Sequence, residues 1–400
     1  LKLKSVAKMN LIKRTTVWPL IRNTVFAVEK EYSRRFYPIV KRSFCTILPL
    51  EQQSQISLLH EEIKEFTNPY TDVLNELTEA AERGESKVAA EWFRKALHYN
   101  LSVSSKKNGL MTVLAYKELV RGGNQLTTEN LRLSHLLGWC LELQHCTILI
   151  TDDIIDNSTT RRDQLCWHRR DDVGLNAIND ALLFENGIYE LLRRHFRHLH
   201  CYVQLLELFQ QNTFKCMLGQ SLDMLISRRN VSTFSVEAYT SIVRNKTSSH
   251  FFYLPIALAL HLAGISEQQI YDDCERITFE FGNFCQAQND FLDCFGDPNE
   301  TGKLGTDIQA NKCTWLAVKC MERADERQRS IMEKFYGKND PQEVARVKEL
   351  YEELDLIEIY TKYEKETYNN IETMIFQACN GAPRKTLLKM LNQINQRDIK

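Results

Sequence analysis

Glycine and proline are scarce in this sequence, with 15 Gly and 8 Pro among 400 residues. Runs of alternating β-branched residues, which are typical of half-buried strands, are also rare. From Glu51 onward the apolar residues instead recur every three or four positions, which is the period of an amphipathic helix. The sequence therefore predicts an all-α fold.

Three further absences narrow the class of protein. No stretch reaches 18 uninterrupted apolar residues, and the longest candidate, FFYLPIALALHLAGI, contains Pro255 and His261, so we expect no stable membrane insertion. The twelve cysteines form no CxxC pair and are interpreted as reduced, mostly buried thiols. A net charge of −1 provides no overall attraction to nucleic acid or to an anionic membrane.

The N-terminus lacks acidic residues, since Glu29 is the first acid and residues 1–28 carry six Lys or Arg. Basic, hydroxylated, acid-poor segments are similar to mitochondrial transit peptides, and a solvated tail is the equal alternative. We predict a leader at residues 1–45 and a single domain at residues 50–400. The expected location is mitochondrial if the leader is a targeting signal and cytoplasmic otherwise, and Met9 is a candidate start.

The sequence predicts two long helices and the residues at which they begin. One runs from about Thr128 to Asp156, and the other starts at Ser266–Gln269, whose spacing is that of a capping box. The second helix carries an apolar stripe from Ile270 to Leu292. Breaks are expected near residues 122–124, 296–305 and 337–341, where Gly, Asn, Asp and Pro cluster.

Each of these helices ends in an acidic box, TDDIID at residues 151–156 and QNDFLD at residues 288–293. Residues four apart share a helix face, so Asp152 and Asp156 lie together, while Asp153 points roughly 100° away. Asn289 and Asp293 have the same relation, with Gln286 one turn earlier. Oxygen ligands without His or Cys favour a hard cation such as Mg²⁺.

Basic residues follow both boxes. They are Arg161, Arg162, Arg169 and Arg170 after the first box, and Lys303 and Lys312 after the second. Acids that bind a metal beside cations that bind an anion are the arrangement that a diphosphate–Mg²⁺ complex requires. The alternative, two solvated helix ends, explains less, because both boxes terminate strongly apolar helices.

Three longer segments of the chain resemble a known family. LGWCLELQHCTILITDDIIDNSTTRRDQLCWHRRDDVGLNAINDA is similar to the first aspartate-rich region of farnesyl diphosphate synthases. VRNKTSSHFFYLPIALALHLAG resembles their Lys-Thr segment, and QAQNDFLDCFGDPNETGKLGTDIQANKCTW resembles their second aspartate-rich region. The resemblance implies an all-α isoprenoid synthase bundle around a deep apolar cavity, a homodimer, and a prenyl diphosphate substrate.

The resemblance also implies roles for individual residues. Three Mg²⁺ ions would bind between the boxes, with Asp152 and Asp156 as ligands supported by Asp153, and Asn289 and Asp293 opposite. Arg161, Lys246 and Lys312 would hold the allylic diphosphate, and Gln286 would point to the same site. Arg162 and Lys303 complete the predicted diphosphate-binding residues.

The matching positions for the second substrate, isopentenyl diphosphate, depart from the family. In SSKKNG, Ser105 stands where the family has Lys, and Asn108 where it has Arg. His145 replaces a Gln, whereas Arg162 is retained. Lys106 and Lys107 are candidates for partial compensation.

This pattern favours a class I terpene synthase that ionises farnesyl diphosphate and converts the carbocation into a sesquiterpene. The alternative is a geranyl or farnesyl diphosphate synthase, and a non-catalytic partner subunit is a third hypothesis. Thr147 and Ile148, smaller than the family's aromatics, would enlarge the cavity, with ordinary core variation as the equal explanation. Asn289, Asp293 and Asp297 partly match the Asn-first metal motif of terpene synthases, although Pro298 disfavours helix at Asp297.

Overall fold

The computed structural model describes residues 61–84, 86–162, 164–297 and 305–395. The predicted leader at residues 1–45 and the predicted diphosphate ligand Lys303 lie outside these residues. Among the described residues, helices account for nearly all regular structure, which confirms the predicted all-α class. None of these helices is both long and apolar enough to span a membrane.

Residues 61–67 are helical and lead into the first bounded helix. The α-helices then run, in chain order, as α1 Tyr70–Glu82, α2 Lys87–Ser102, α3 Lys107–Leu119, α4 Thr128–Ile155, α5 Asn176–His195, α6 Tyr202–Ile226, α7 Val236–Ile242, α8 Leu254–Leu262, α9 Gln268–Phe295, α10 Trp315–Arg323, α11 Glu326–Phe335, α12 Pro341–Glu353, α13 Leu356–Gln377 and α14 Arg384–Asn395. A π-helix, Val243–Tyr253, joins α7 to α8. A two-stranded antiparallel ribbon, β1 Thr160–Arg161 and β2 Gln164–Leu165, follows α4, and 3₁₀ turns lie at Trp167–Arg169 and Val231–Thr233.

The helix α9 connects two hydrophobic cores. Its first half, from Ile270 to Cys285, packs into the larger core with the helices from α1 to α6 and α8. Its second half, including Phe291, packs into a smaller core with α10 to α13. The predicted stripe on this helix is confirmed except at Leu292, which is half-buried while Phe291 is buried.

The capping box predicted for this helix is wrong. The helix starts one residue later, at Gln268, and its N-cap residue Glu267 makes no side-chain capping bond. The side chain of Gln269 instead donates forward to Asp273 Oδ1, 3.1 Å away, and so cannot reach back to the helix start. The other long helix is confirmed: α4 begins at Thr128 behind Thr127, whose Oγ1 accepts from Asn130 N at 3.1 Å.

The two glycines at the crossing of α3 and α4 set the position of the first acidic box. A Cβ on Gly138 would lie 2.7 Å from the carbonyl oxygen of Gly109 and 2.6 Å from the ring of Phe66. Because carbon atoms do not approach so closely, only glycine permits this backbone contact. The contact fixes α4 against α3, with Asp152 at the far end of α4.

Candidate active site

The three aspartates at the end of α4 point in two directions. Asp153 is buried and accepts two hydrogen bonds from Arg161, from Nε at 3.0 Å and from Nη2 at 2.5 Å. Asp152 is half-buried and faces the π-helix, where its Oδ1 lies 3.3 Å from Lys246 Nζ. Asp156 is exposed and caps the helix. The predicted divergence of Asp153 from the other two aspartates is therefore confirmed.

A continuous line of alternating charges crosses this end of the bundle. Lys312 Nζ lies 3.2 Å from Asp156 Oδ1 and 3.1 Å from Asp223 Oδ2. Lys246 Nζ lies 2.9 Å from the same Asp223 oxygen and 3.3 Å from Asp152 Oδ1. Two ammonium groups thus share one carboxylate, and each also reaches an aspartate of the first box.

Asp223 is the central residue of this line, and the sequence analysis missed it. Burial by itself would raise the pKa of its carboxyl, but the positive charges of Lys246 and Lys312 outweigh burial and lower the pKa. Burial would likewise lower the pKa of Lys246, and Asp152 and Asp223 raise it above its ordinary value. An acidic residue at the end of the apolar helix α6 was the only available signal.

A close backbone contact places Asp223 against the two lysines. A Cβ on Gly219, one turn earlier on α6, would lie 2.5 Å from the backbone nitrogen of Lys246. The π-helix that carries Lys246 widens the backbone at this contact, and such segments are frequent at functional sites. Pro255, just inside the following helix, lacks the N–H that would continue regular α-helical bonding back into this segment.

The second box lies on the last turns of α9. Gln286 Oε1 accepts from Thr247 Oγ1 at 3.2 Å, so the box contacts the Lys-Thr segment. Asp293 Oδ2 accepts from the backbone nitrogen of Asp307 at 2.9 Å, and Asn289 is half-buried. Asp297 lies beyond the end of the helix at Phe295, so the third position of the Asn-first motif is not helical.

Asp290, inside the second box, is structural. It is buried and accepts from Gln286 Nε2 at 2.9 Å and from the backbone nitrogen of Trp315 at 2.7 Å. Burial raises the pKa of its carboxyl above the ordinary range. Asp290 therefore anchors the start of α10, while its neighbours Asn289 and Asp293 remain the predicted ligands.

The donor set fits a hard cation. Asp152 Oδ1 is buried and accepts no well-aligned hydrogen bond, although Lys246 Nζ lies near it, so it retains capacity to bind a cation. Nowhere in the described residues do three His, Cys, Asp or Glu side chains converge closely enough to hold a metal alone. Mg²⁺ needs only one or two carboxylates when water and phosphate oxygens complete its shell.

The cavity next to Asp152 is small. It measures about 10 Å³ and is lined by Ile148, Thr151, Asp152, Cys216, Met217, Gln220 and Lys246. Ligand pockets of drug-sized molecules have about 300–1,000 Å³, so this cavity alone is too small to hold a prenyl chain. Thr147 Oγ1 donates to the carbonyl oxygen of Ala181 at 3.1 Å and so faces α5, whereas Ile148 lines this cavity, and the larger substrate cavity expected from these two residues stays a prediction.

The segment predicted to have lost the second substrate lies close to Arg162. Arg162 donates from Nη1 to the Val103 carbonyl at 3.3 Å, directly before SSKKNG. Lys106 adopts a left-handed conformation, with φ 56°, and its Nζ donates to the carbonyls of Ser102 and Ser104 at 2.6 and 2.9 Å. Lys106 therefore caps the end of α2, which limits the compensation expected from it.

Two other arginines of the predicted basic cluster have structural contacts instead. Arg169 donates to the backbone carbonyls of Asn157 and Ser158. Arg170 lies over the ring of Tyr99, 5.0 Å from its centroid. These contacts hold the loop that carries Arg161 and Arg162.

We predict that Asp223→Asn lowers the free energy of unfolding near neutral pH by about 1–3 kcal/mol, since charge-assisted bonds to two lysines are weakened. The folded-state pKa of Asp223 lies below its ordinary value of 3.8, so its stabilisation is present above that pH and is lost as the pH falls through the folded pKa. Urea unfolding of both proteins from pH 7 to pH 3 measures this. A stability difference that did not shrink in acid would contradict the assignment.

Sequence comparisons identify the family of the chain. A sequence model of the polyprenyl synthetase family matches residues 90–354. The farnesyl pyrophosphate synthase of Gallus gallus is 40% identical over 85% of this chain and 94% of its own length, and that of Rattus norvegicus is 40% identical over 86% and 98%. The farnesyl pyrophosphate synthase of Nezara viridula is 37% identical over 84% and 83%. The chain belongs to the polyprenyl synthetase family.

Proposed function

We propose that the protein is a prenyltransferase that condenses isopentenyl diphosphate with an allylic diphosphate. The relatives are named farnesyl pyrophosphate synthase, which supports this alternative over the terpene synthase that the sequence analysis favoured. The single observation that carries the proposal is the line of alternating charges from Asp156 through Lys312, Asp223 and Lys246 to Asp152. In this line, carboxylate oxygens that would bind Mg²⁺ alternate with ammonium groups that would bind diphosphate.

The carboxylate and ammonium groups of the site would stabilise a diphosphate leaving group. Asp152 and Asp156, with Asn289 and Asp293 on α9, would hold Mg²⁺, which neutralises the leaving group when bound. Lys246, with Lys312 and Arg161, binds the diphosphate oxygens, on which negative charge develops as the allylic C–O bond breaks.

The rest of the reaction needs the second substrate. The double bond of isopentenyl diphosphate attacks the allylic carbon, and the C–O electron pair leaves with diphosphate. One proton is then lost from the new chain to the departed diphosphate, which restores the double bond. Arg162 is the described arginine that would bind the second diphosphate, since it lies beside the SSKKNG segment.

A terpene synthase remains the second candidate because of one specific observation. Ser105 is exposed, Asn108 replaces an arginine, and the Lys106 ammonium is bound to backbone carbonyls. These features weaken the predicted site for isopentenyl diphosphate. A protein that ionises an allylic diphosphate without a bound partner would convert it into a hydrocarbon or an alcohol.

A pair of assays decides between the two functions. With Mg²⁺, isopentenyl diphosphate and dimethylallyl or geranyl diphosphate should give elongated diphosphates, whereas farnesyl diphosphate alone should give no volatile product. Asp152→Ala should lower turnover at least about 100-fold by removing charge stabilisation of the leaving group. Asp171→Asn, which changes an exposed acid in the following loop, is the matched control and should retain activity. Volatile terpenes in place of elongated diphosphates would refute the proposal.

We predict that Ser105→Lys with Asn108→Arg lowers the KM for isopentenyl diphosphate. Two added charge-assisted bonds are worth about 1.5–3 kcal/mol each, so a decrease of tenfold or more is expected. The KM for the allylic diphosphate should stay constant, because its predicted ligands are unchanged. Steady-state kinetics with each substrate varied in turn measures both values, and an unchanged KM for isopentenyl diphosphate would mean that the segment is misaligned.

We also propose that the protein is a homodimer through α5 and α6. These neighbouring helices expose large apolar side chains at helical spacing, namely Ile178 and Leu182 on α5 and Phe214, Leu218 and Leu225 on α6, between 47% and 67% accessible. A second copy is the occupant that we infer, since a two-fold contact lets the same apolar face cover itself.

Phe214→Glu with Leu218→Glu should convert the dimer into monomers, because four carboxylates would be brought into the apolar contact of the two copies. Sedimentation velocity measures the mass in solution. Phe376→Glu is the control, since Phe376 is 60% exposed on α13 and should leave the dimer intact. A dimer that survives the double substitution would place the interface elsewhere.

A further inference from the structure

A second cavity, outside the proposed active site, lies among α1, α2 and α5. Its volume is about 470 Å³, which falls within the range of about 300–1,000 Å³ that is typical of sites for small ligands. None of the described residues that line it is among those assigned above to a diphosphate or to Mg²⁺. The reaction described above therefore does not use this cavity.

The floor of this cavity consists mainly of apolar side chains. Leu77 on α1 and Phe93 on α2 are buried there, and Leu183 on α5 is exposed. Gly187 on α5 keeps the floor open, because a Cβ at this position would lie 3.3 Å from a methyl group of Leu77 and 3.7 Å from the ring of Phe93. The floor thus offers a hydrocarbon chain an apolar surface that removes it from water.

The charged residues of the lining lie together at one end of the cavity. Arg83 Nη2 lies 3.6 Å from Glu190 Oε1, and Arg193 Nη2 lies 2.5 Å from Glu190 Oε2. Arg194 also contacts Glu190, at 3.3 Å, and shares Glu76 at 3.4 Å. The two arginines of the lining are each 59% exposed, and each contact to Glu190 uses one nitrogen of a group with five N–H donors. This end therefore has more positive than negative charge and retains donors for a further anion.

The cavity is also separate from the proposed dimer contact. Leu183, Gly187 and Glu190 share one face of α5, because they follow at spacings of four and three residues. Leu182, which belongs to the proposed contact, lies about 100° further around the helix. A ligand can therefore occupy the cavity in the dimer.

We infer that this cavity binds an amphipathic anion, with an apolar chain on the floor beside Leu183 and Gly187 and an anionic head on Arg83 and Arg193. Guanidinium groups suit carboxylate and phosphate oxygens in particular. From Leu183 to Arg193 the helix extends about 15 Å, which an extended chain of about twelve carbons spans. Fatty acids and alkyl phosphates have this chemistry, and so does one chain of an anionic membrane lipid. The inference does not depend on the proposed condensation.

Calorimetric titration of the full-length protein with monomeric dodecyl phosphate tests the inference. Ala89→Trp places a large side chain in the cavity from an exposed position of the lining and should weaken binding at least about tenfold. Val88→Trp is its control, since Val88 is 79% exposed and does not line the cavity, and it should leave the affinity unchanged. Circular dichroism should show unchanged helix content in both variants. Affinity that Ala89→Trp did not lower would overturn the inference.

Arg83→Gln with Arg193→Gln tests the charged end and should weaken binding at least about fivefold, because the head group loses its charge-assisted bonds. The matched control is Arg327→Gln with Arg346→Gln. These two arginines likewise share one carboxylate, that of Glu353, at 3.4 and 3.6 Å, and they lie on α11 and α12 outside the cavity. An equal loss of affinity in both double variants would reduce the effect to overall charge and would contradict the proposed site.

The two parts of the probe are then tested alone. Inorganic phosphate and dodecanol should each bind more weakly than dodecyl phosphate. If either bound as tightly, the site would recognise only an anion or only a chain, and the inference would be wrong.

Co-sedimentation with vesicles of phosphatidylcholine and phosphatidic acid identifies the source of the ligand. Vesicle binding that is lost in both Ala89→Trp and the Arg83→Gln, Arg193→Gln variant would identify a membrane lipid. Tight binding of dodecyl phosphate without vesicle binding would identify a free amphiphile, and both results support the site. Vesicle binding that neither substitution reduces, together with no binding of dodecyl phosphate, would refute it.

Discussion

The active site depends on one carboxylate, Asp223, that holds two lysines. Lys246 and Lys312 repel each other, and both are largely removed from water, where a charge without a partner is costly. Asp223 offsets this repulsion and leaves each ammonium group close to a first-box aspartate. The site is therefore organised before substrate arrives. In the proposed reaction the diphosphate would bind the two lysines while its metal ions bind the two aspartates. Each ammonium group already lies beside one of these aspartates, so little rearrangement is needed.

Close backbone contacts at glycines fix the positions of the helices that carry the charged side chains. Gly219 lets α6 approach the π-helix at Lys246, and Gly109 with Gly138 lets α3 approach α4. In both places a β-carbon would collide with main-chain atoms, so the distances between helices are determined by the backbone. Lys246 lies at the first contact, Asp223 lies one turn from it, and Asp152 lies about four turns from the second contact.

The two proposed substrate sites differ in how many of the residues expected of a prenyltransferase they contain. In the half predicted to bind the allylic diphosphate, Lys246 contacts Asp152, and both Lys246 and Lys312 contact Asp223. In the other half, the resemblance puts Ser105 and Asn108 where the family has Lys and Arg, so the proposed second-substrate site relies on Arg162. The same altered half is why the sequence suggested a terpene synthase, whereas the relatives favour condensation.

The sequence by itself determined the helices and the spacing of the acidic boxes, because both follow from the local period of 3.6 residues. Asp152 and Asp156 share a face, and Asp153 leaves it, in any α-helix. The helical period alone does not determine which other elements each helix face contacts. Tertiary packing decided that Thr147 faces α5 and that the Lys106 ammonium binds carbonyls at the end of α2. The side chain of Gln269 bonds to Asp273 and does not cap its helix. Tertiary packing also brought Asp223 to lysines 23 and 89 residues away along the chain, a pairing that depends on helix crossings and leaves no periodic signal in the sequence.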